Sequence, residues 1–498
     1  MCLWAMWIRC YCSRWPGVCE ITERSTPSLA RIIVMEGVFC LNESVGATGF
    51  CFVHAADVHL DSPFSSMKLD SLEAAEAFAG AARASLRGVA RVCIEEGARF
   101  LVLSGDVFDS EQRSLRAQHE LWAILSSLAE RGVHTYVAFG NHDSLSGWRS
   151  AFSWPEQVHF FGPEVSTYPV IAGGREIARV SGISYPQPSV ADNLSLAFRK
   201  NPGDPFTVGV LHCNVGGDVR HANYAPCALS DLEASGIDYW ALGHVHEPWI
   251  LRAESPAVVY PGCAQGRNPR ETGAHGCFVV SVAGGYDGSG IGGGRVALKF
   301  VPTDVIRWHV LDVKIDGMST VDQVIGEIQS GVARLAMSSN MRSCAFRVRL
   351  LGRGPVHREL AMDGPEALLA AARESALPGD RFDWIECVQD LTGPDVDRDA
   401  LKAGGSLISD LLCLADDMRS APARLQAVRG ALEQKLGSRA DRALNRLVRE
   451  LSDEEILQII AKAESLALDL LLGRLIHRPC AYVKSTLMDS GYFTTGAL

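Results

Sequence analysis

Five short apolar runs in this chain each end on residues that bind cations or move protons. In order, they run into Asp57-Val58-His59, Gly105-Asp106, Gly140-Asn141-His142-Asp143, Leu211-His212 and Gly243-His244-Val245-His246. Imidazole nitrogen, carboxylate and amide oxygen together suit Mn²⁺, Fe²⁺ or Zn²⁺, and the absence of thiolate argues against a structural zinc site. Within a strand, side chains at i and i+2 share a side, so the imidazoles of His244 and His246 could meet at one point. One His-x-His is more often a pair of ordinary core or surface residues. Five such endings in one chain are a far stronger signal.

These residues need a sheet to position them. Phe52–Ala55, Phe100–Leu103, Thr135–Phe139, Thr207–Leu211 and Tyr239–Leu242 read as buried strands. Ser71–Glu96 and Gln112–Glu130, between the first three, have helical apolar spacing. This alternation predicts an α/β domain with crossover connections, in which loops beyond the carboxyl ends of neighbouring strands share one crevice. The glycines before Asp106, Asn141 and His244 are expected to let the backbone turn tightly. Past Leu242 come strands with glycine turns, and Gly284–Gly294 reads as a surface loop because no helix follows it to make a phosphate cradle.

After Pro302 the pattern becomes strand, helix (Ser319–Ala336), strand, helix (Pro365–Ser375), strand, and from about Lys402 it is helical throughout. Ser452-Asp453-Glu454-Glu455 is a capping box ahead of an apolar face of Ile456, Ile459, Ile460, Ala463 and Leu470. The expected division is 1–49 as a disordered extension or an over-long start with Met35 as the true one, a site-bearing domain over 50–302, a small α/β domain over 303–396, and a helical region over 397–498.

With 498 residues and a net charge of −11, the chain has room for several domains and no global attraction to nucleic acid or anionic membranes. A local basic patch remains compatible with that charge. Arg439, Arg442, Arg446 and Arg449 form such a stripe, for which an ordinary solvated face is slightly favoured over a nucleic-acid contact. No stretch reaches the ~20 apolar residues of a membrane-spanning helix. Most of the 15 cysteines outside the N-terminal segment stand singly among apolar neighbours, which fits reduced thiols and a cytoplasmic location. No P-loop motif is present, so any ATP hydrolysis must come from a partner.

The ordered motifs DVH, GDVFD, GNHD, H and GHVH resemble the calcineurin-like metallophosphoesterase superfamily. The strings FVHAADVHLDSPF, YVAFGNHDS and YPGCAQGRNPRETGAHGC are similar, more narrowly, to SbcD/YhaO-type DNA repair exonuclease subunits. The resemblance covers about Phe50 to Pro302 and reaches the remainder only through domain layout. It implies a layered sheet sandwich with helices on its outer faces, followed by a small α/β capping domain and a helical C-terminus. It also implies two divalent metal ions, manganese first, with Fe, Zn or Mg as alternatives. Asp57, His59, Asp106 and His246 would hold one, and Asp106, Asn141, His212 and His244 the other. His142 would contact the phosphate and protonate the leaving group, oriented by Asp143. Arg267 and Arg270, in the loop after Tyr260-Pro261-Gly262, are candidate phosphate contacts, with a loop salt bridge the plainer reading. His54, Asp61 and Asp109 lie near the ligands without an assigned metal role.

The function implied is DNA phosphodiester hydrolysis, with an SMC-like coiled-coil ATPase of the SbcC/YhaN kind as partner and a homodimer compatible with it. The rivals are a phosphodiesterase for small nucleotides, and a weakly active scaffold that binds DNA ends or the ATPase.

Overall fold

A computed structural model describes residues 49–62, 72–109, 113–146, 150–217, 222–284, 295–340, 342–374, 382–437 and 451–472. The expectations for residues 1–48, for 285–294 and for the arginine stripe lie outside these.

Two six-stranded sheets form the larger part. The first has the order β12 (Arg295–Pro302), β11 (Gly276–Ala283), β1 (Phe50–Ala55), β2 (Phe100–Ser104), β3 (His134–Ala138), β4 (Val158–Phe160). The second runs β5 (Ser166–Ala172), β6 (Arg175–Gly182), β7 (Phe206–His212), β8 (Tyr239–Gly243), β10 (Ala257–Tyr260), β9 (Trp249–Arg252). Within the first sheet β1 to β4 are parallel, and within the second β6, β7, β8 and β10 are parallel. Both sheets therefore deliver the carboxyl ends of parallel strands, which is where the candidate ligands lie.

Strand faces explain the layering. Phe52, Phe100, Val102 and Tyr136 of the first sheet share a buried cluster with Val180, Val208, Val210, Tyr239 and Val259 of the second. The alternate residues Val53, Ala55, Leu101, Leu103 and Val137 face outward onto helices α1 (Leu72–Glu95) and α2 (Leu115–Ala129), through Leu86, Val89, Leu121 and Leu125. Leu211, Trp240 and Leu242 pack outward around Leu232 of the short helix α3 (Leu229–Ala234). Period-2 alternation on two-sided strands thus gives helix, sheet, sheet, helix. Beneath the rim, His54 pins the two sheets together, with Nδ1 2.9 Å from Tyr239 Oη and Nε2 2.9 Å from Ser104 Oγ.

A separate parallel sheet, β13 (Ile306–Lys314), β14 (Ser343–Leu351) and β15 (Asp383–Asp390), carries α4 (Val321–Ser338), α5 (His357–Asp363) and α6 (Pro365–Glu374). Its β13 touches the larger part: Trp308 is fully buried against Phe78 of α1. Among the described residues four helices follow: α7 (Arg398–Ala403), α8 (Leu407–Arg419), α9 (Pro422–Gly437) and α10 (Asp453–Leu471). The expected capping box forms at α10, where Ser452 Oγ accepts from Glu455 N and Glu455 Oε2 accepts from Ser452 N. No helix among the described residues is long and apolar enough to cross a membrane.

Strands β4, β5, β6 and β9 were not expected. They are short or carry polar residues in partly exposed positions, such as Ser166-Thr167-Tyr168 and Arg175-Glu176, so their apolar signal is weak.

Candidate metal centre

The loops after β1 and β2 lie side by side as a backbone ladder: Asp57 N donates to Gly105 O (3.1 Å), His59 N to Asp106 O (3.0 Å) and Leu60 N to Val107 O (2.8 Å). The chain is bent sharply there. Asp57, His59, Asp106 and His244 all have positive φ, at 50°, 48°, 48° and 102°. Each such non-glycine residue costs of order 1 kcal/mol or more, and such strain concentrates at functional sites.

The three glycines have two different reasons. Gly105 has φ 99°, as a tight turn requires. Gly140 and Gly243 do not, and are needed because of crowding. A Cβ on Gly140 would lie 2.3 Å from Asp106 Oδ1, and one on Gly243 1.9 Å from Ser104 O and 2.8 Å from His212 Nδ1. Backbone is packed directly against Asp106 and His212 from three sides.

The hydrogen-bond partners show which ring nitrogens face the site. His246 Nδ1 lies 2.8 Å from Glu271 Oε1, and His59 Nδ1 lies 2.9 Å from Asp109 Oδ1. These carboxylates draw the ring protons to Nδ1 and leave lone pairs on both Nε2 atoms, which face each other at 3.3 Å. Burial, with the Arg267 charge, pushes His59 down to about 3, so it is neutral at physiological pH. Close by, His212 Nδ1 donates to Ser104 O (3.1 Å) and its Nε2 points at Asn141 Oδ1 (3.1 Å) and Asp106 Oδ2 (3.4 Å), so a proton on Nε2 takes the place a cation would. Burial opposes protonation of His212, yet Asp106 lifts it to about 9, and His212 in turn holds the buried Asp106 carboxyl well below its usual range. A small cation is the natural occupant of a space where acceptors face acceptors.

The geometry groups the ligands as well. Asp57, His59 and His246 offer ligand atoms within 4.8 Å of one another, and so do Asp57, Asp106 and His212. Asp106 Oδ2 is 3.4 Å from His212 Nε2 and 3.9 Å from His59 Nε2, so one oxygen faces both groups. His244 Nε2 donates to Ala222 O (2.7 Å), which makes Nδ1 the nitrogen with a lone pair. Its ring centroid is 5.3 Å from that of His212. The structure thus brings together all seven expected ligands.

Three expected roles change. Asp143 does not touch the His142 ring. It is buried and accepts from Val107 N (2.7 Å), Phe108 N (3.1 Å) and Gly140 N (2.7 Å), clamping the Asp106 loop to the Gly140–Asp143 loop. His142 is oriented instead by Asp109, whose carbonyl is 3.0 Å from its Nδ1. Its ring is 43% exposed, so it stands at the mouth of the site. Arg267 is engaged by carboxylates: its Nη1 donates to Asp109 Oδ1 (2.8 Å) and its backbone N–H to Glu271 Oε2 (2.7 Å). Arg270 turns away altogether, its Nη2 pairing with Glu455 of α10 at 2.5 Å. Both arginines are salt-bridge residues because acidic partners distant in sequence reach them first.

Residues 51–248 match the family model of calcineurin-like phosphoesterases, and residues 308–393 the model for the middle domain of metallophosphoesterase YhaO. The chain is 32% identical over 352 residues to the uncharacterized metallophosphoesterase YhaO of Bacillus subtilis (strain 168), covering 69% of this chain and 82% of that one. It is 26% identical to the DNA double-strand break repair protein Mre11 of Archaeoglobus fulgidus over 44% of this chain, and 26% identical to that of Methanopyrus kandleri over 56%. It spans only 51% and 62% of those two proteins. A solved dimetal phosphatase from Danio rerio shares 14% identity across 51% of this chain and 99% of that one, with a TM-score of 0.30. With strand-end motifs, a layered two-sheet fold and a YhaO relative matched over most of its length, this chain belongs to the calcineurin-like metallophosphoesterase family, in company with YhaO.

Proposed function

We propose that this metallophosphoesterase is a two-metal DNA phosphodiesterase, an exo- or endonuclease of DNA repair. The observation that carries the metal reading is His59 Nε2 facing His246 Nε2 at 3.3 Å, beside a second group in which Asp57, Asp106 and His212 bring ligand atoms within 4.8 Å of one another. In this reading Asp57, His59, Asp106 and His246 form the first position, Asp106, Asn141, His212 and His244 the second, and Asp106 serves both. When bound, two divalent cations would supply charge neutralisation at the phosphate and lower the pKa of a water so that hydroxide is available near neutral pH as the nucleophile. Manganese is the first metal to test, ahead of Fe, Zn and Mg.

The chain's own residues do the rest. His142, with Nδ1 held by Asp109, presents Nε2 as the proton carrier for the departing oxygen. Its backbone N–H donates to Asp106 Oδ1 (3.0 Å), which ties the proton carrier to the shared carboxylate. The Asp143 clamp keeps these two loops in register.

DNA is favoured over a small nucleotide by the kinship with proteins named for double-strand break repair. The unit on β13 to β15 supports it too. That unit sits against the loop behind the rim, where it can restrict which DNA ends enter. A coiled-coil ATPase of the SbcC/YhaN kind, acting with this chain in the cytoplasm, is the partner this reading requires.

The test is metal analysis of the purified full chain, followed by linear duplex DNA and cyclic nucleotides as alternative substrates. Two equivalents of metal and DNA degradation are expected. Turnover of cyclic nucleotides alone would leave a small-substrate enzyme, and binding of both DNA and metal without turnover of either substrate would leave a scaffold.

A further inference from the structure

This inference rests on the two-metal reading. We propose that Arg267, Asp109 and Glu271 form one brace that positions His59 and His246, and so supports the first metal position selectively. Each of the two histidines rests its outer nitrogen on a carboxylate, His59 on Asp109 and His246 on Glu271. One guanidinium joins these carboxylates: Arg267 Nη1 is 2.8 Å from Asp109 Oδ1, and Nη2 is 3.6 Å from Glu271 Oε1. The backbone N–H of Arg267 fixes the other Glu271 oxygen at 2.7 Å. The side chains of Arg267, Asp109 and Glu271 are only 14%, 17% and 10% exposed, so solvent screens them little.

A planar guanidinium sets the spacing of two carboxylates, and these set the direction of two imidazoles. A lysine would supply the charge without the fork. The second position is supported differently. His212 and His244 rest on the backbone carbonyls of Ser104 and Ala222. Removing brace charge should therefore reach one position and spare the other.

The brace loop is also fastened from outside the two large sheets. Gln265 Nε2 donates to Ile306 O (2.6 Å), Trp308 Nε1 to Gly266 O (3.2 Å), and Gly273 N to Trp308 O (3.2 Å). Strand β13 of the smaller sheet thus sets the height of Glu271.

The experiment is titration of the metal-free full chain with Mn²⁺, followed by calorimetry and metal analysis, with His59→Ala and Asn141→Ala marking which binding step belongs to which position. Glu271→Gln should weaken the step that His59→Ala removes by about 10- to 100-fold, as loss of a ligand's outer partner does, and leave the step that Asn141→Ala removes unchanged. Arg267→Lys should show the same selectivity with a smaller loss. Trp308→Phe keeps an aromatic ring but removes the bond to Gly266 and some packing, so, read on protein shown to be folded, it carries the test if Glu271→Gln does not fold, and should weaken the same step a few-fold. Equal weakening of both steps, or no weakening in folded variants, overturns the brace. A wild-type chain that binds no Mn²⁺ overturns the two-metal reading instead.

Discussion

Asp106 and Glu464 are both almost fully buried carboxylates surrounded by bases, at 1% and 4% exposure, yet their surroundings differ in kind. Around Glu464 stand Arg398 (2.9 Å), Arg419 (2.7 Å) and Arg353 (3.3 Å), permanent cations that seat α10 against α7, α8 and the smaller sheet. Close by, His357 joins α10 to that sheet, with Nε2 3.0 Å from Asp469 Oδ2 and Nδ1 2.6 Å from Thr392 Oγ1. Every carboxylate there has a donor. Around Asp106, among the described residues, only Oδ1 has a backbone donor, His142 N–H at 3.0 Å, while Oδ2 faces the Nε2 atoms of His212 (3.4 Å) and the neutral His59 (3.9 Å). Burial and charge are common to both regions. What marks a binding site is acceptors facing acceptors, and among the described residues every His/Cys/Asp/Glu group close enough to hold a metal lies at the rim.

The comparison breaks most severely at Asp106. Asp106→Asn removes the carboxylate that faces both ligand groups, so it should lower occupancy of both metals and abolish hydrolysis. His59→Ala should empty mainly one. Metal content of the purified proteins checks this, and unchanged content in Asp106→Asn would sink the shared-ligand assignment.

His142 gives the next largest effect. It is at the mouth and belongs to neither ligand group, so His142→Asn should keep both metals and DNA binding while turnover falls about 100-fold or more. Single-turnover rates on a metal-loaded protein read this directly, and an undiminished rate would remove His142 from proton transfer.

The ligands were legible because parallel strands hand their carboxyl ends to one rim, and each run ended in a group with no structural reason to be there. The supporting residues were less legible. Asp109 lies 158 residues from Arg267, whereas Glu271 lies 4 from Arg267 and 25 from His246, and only the folded loop places Arg267 between the two carboxylates. The resemblance implied Asp143 as the partner of His142, whereas a turn aims it back at Gly140 N. The seat of α10 was half visible. Its apolar face predicted burial, but Glu464 and Asp469 on that face gave no sign that arginines and a histidine from other helices would meet them.

Around Glu464 the same comparison predicts a loss of stability without a loss of metal. Burial raises this carboxyl, but Arg398 and Arg419 outweigh it and hold the group below its ordinary value. A depressed pKa contributes stability that is present above the ordinary carboxylate range and lost as pH falls through the folded value. Acidification below the ordinary carboxylate range should loosen α10. Glu464→Gln leaves the arginines without their common anion and should cost about 3 kcal/mol. Urea unfolding alongside Mn²⁺ titration separates the two readouts. A variant that loses metal as well as stability would mean the two regions are not independent.

The smallest effect is expected at Arg270, and it sharpens the comparison within one loop. Arg267 and Arg270 stand three residues apart and both pair with glutamate, but Arg267 is 14% exposed and Arg270 64%. An exposed pair gains little, because water and salt screen it and two long side chains must be ordered to hold it. Arg270→Ala should therefore change stability by less than about 1 kcal/mol. It should leave Mn²⁺ binding and hydrolysis of a small phosphodiester as they were. If Arg270 instead contacts substrate phosphate, the variant would lose activity on DNA with a shallower salt dependence, since each lost phosphate contact lowers the slope by about one unit. DNA hydrolysis by wild type and Arg270→Ala across a salt series separates these outcomes. An unchanged slope leaves Arg270 as a loop-to-helix tie, and Arg267 as the arginine of this pair that serves the metal site.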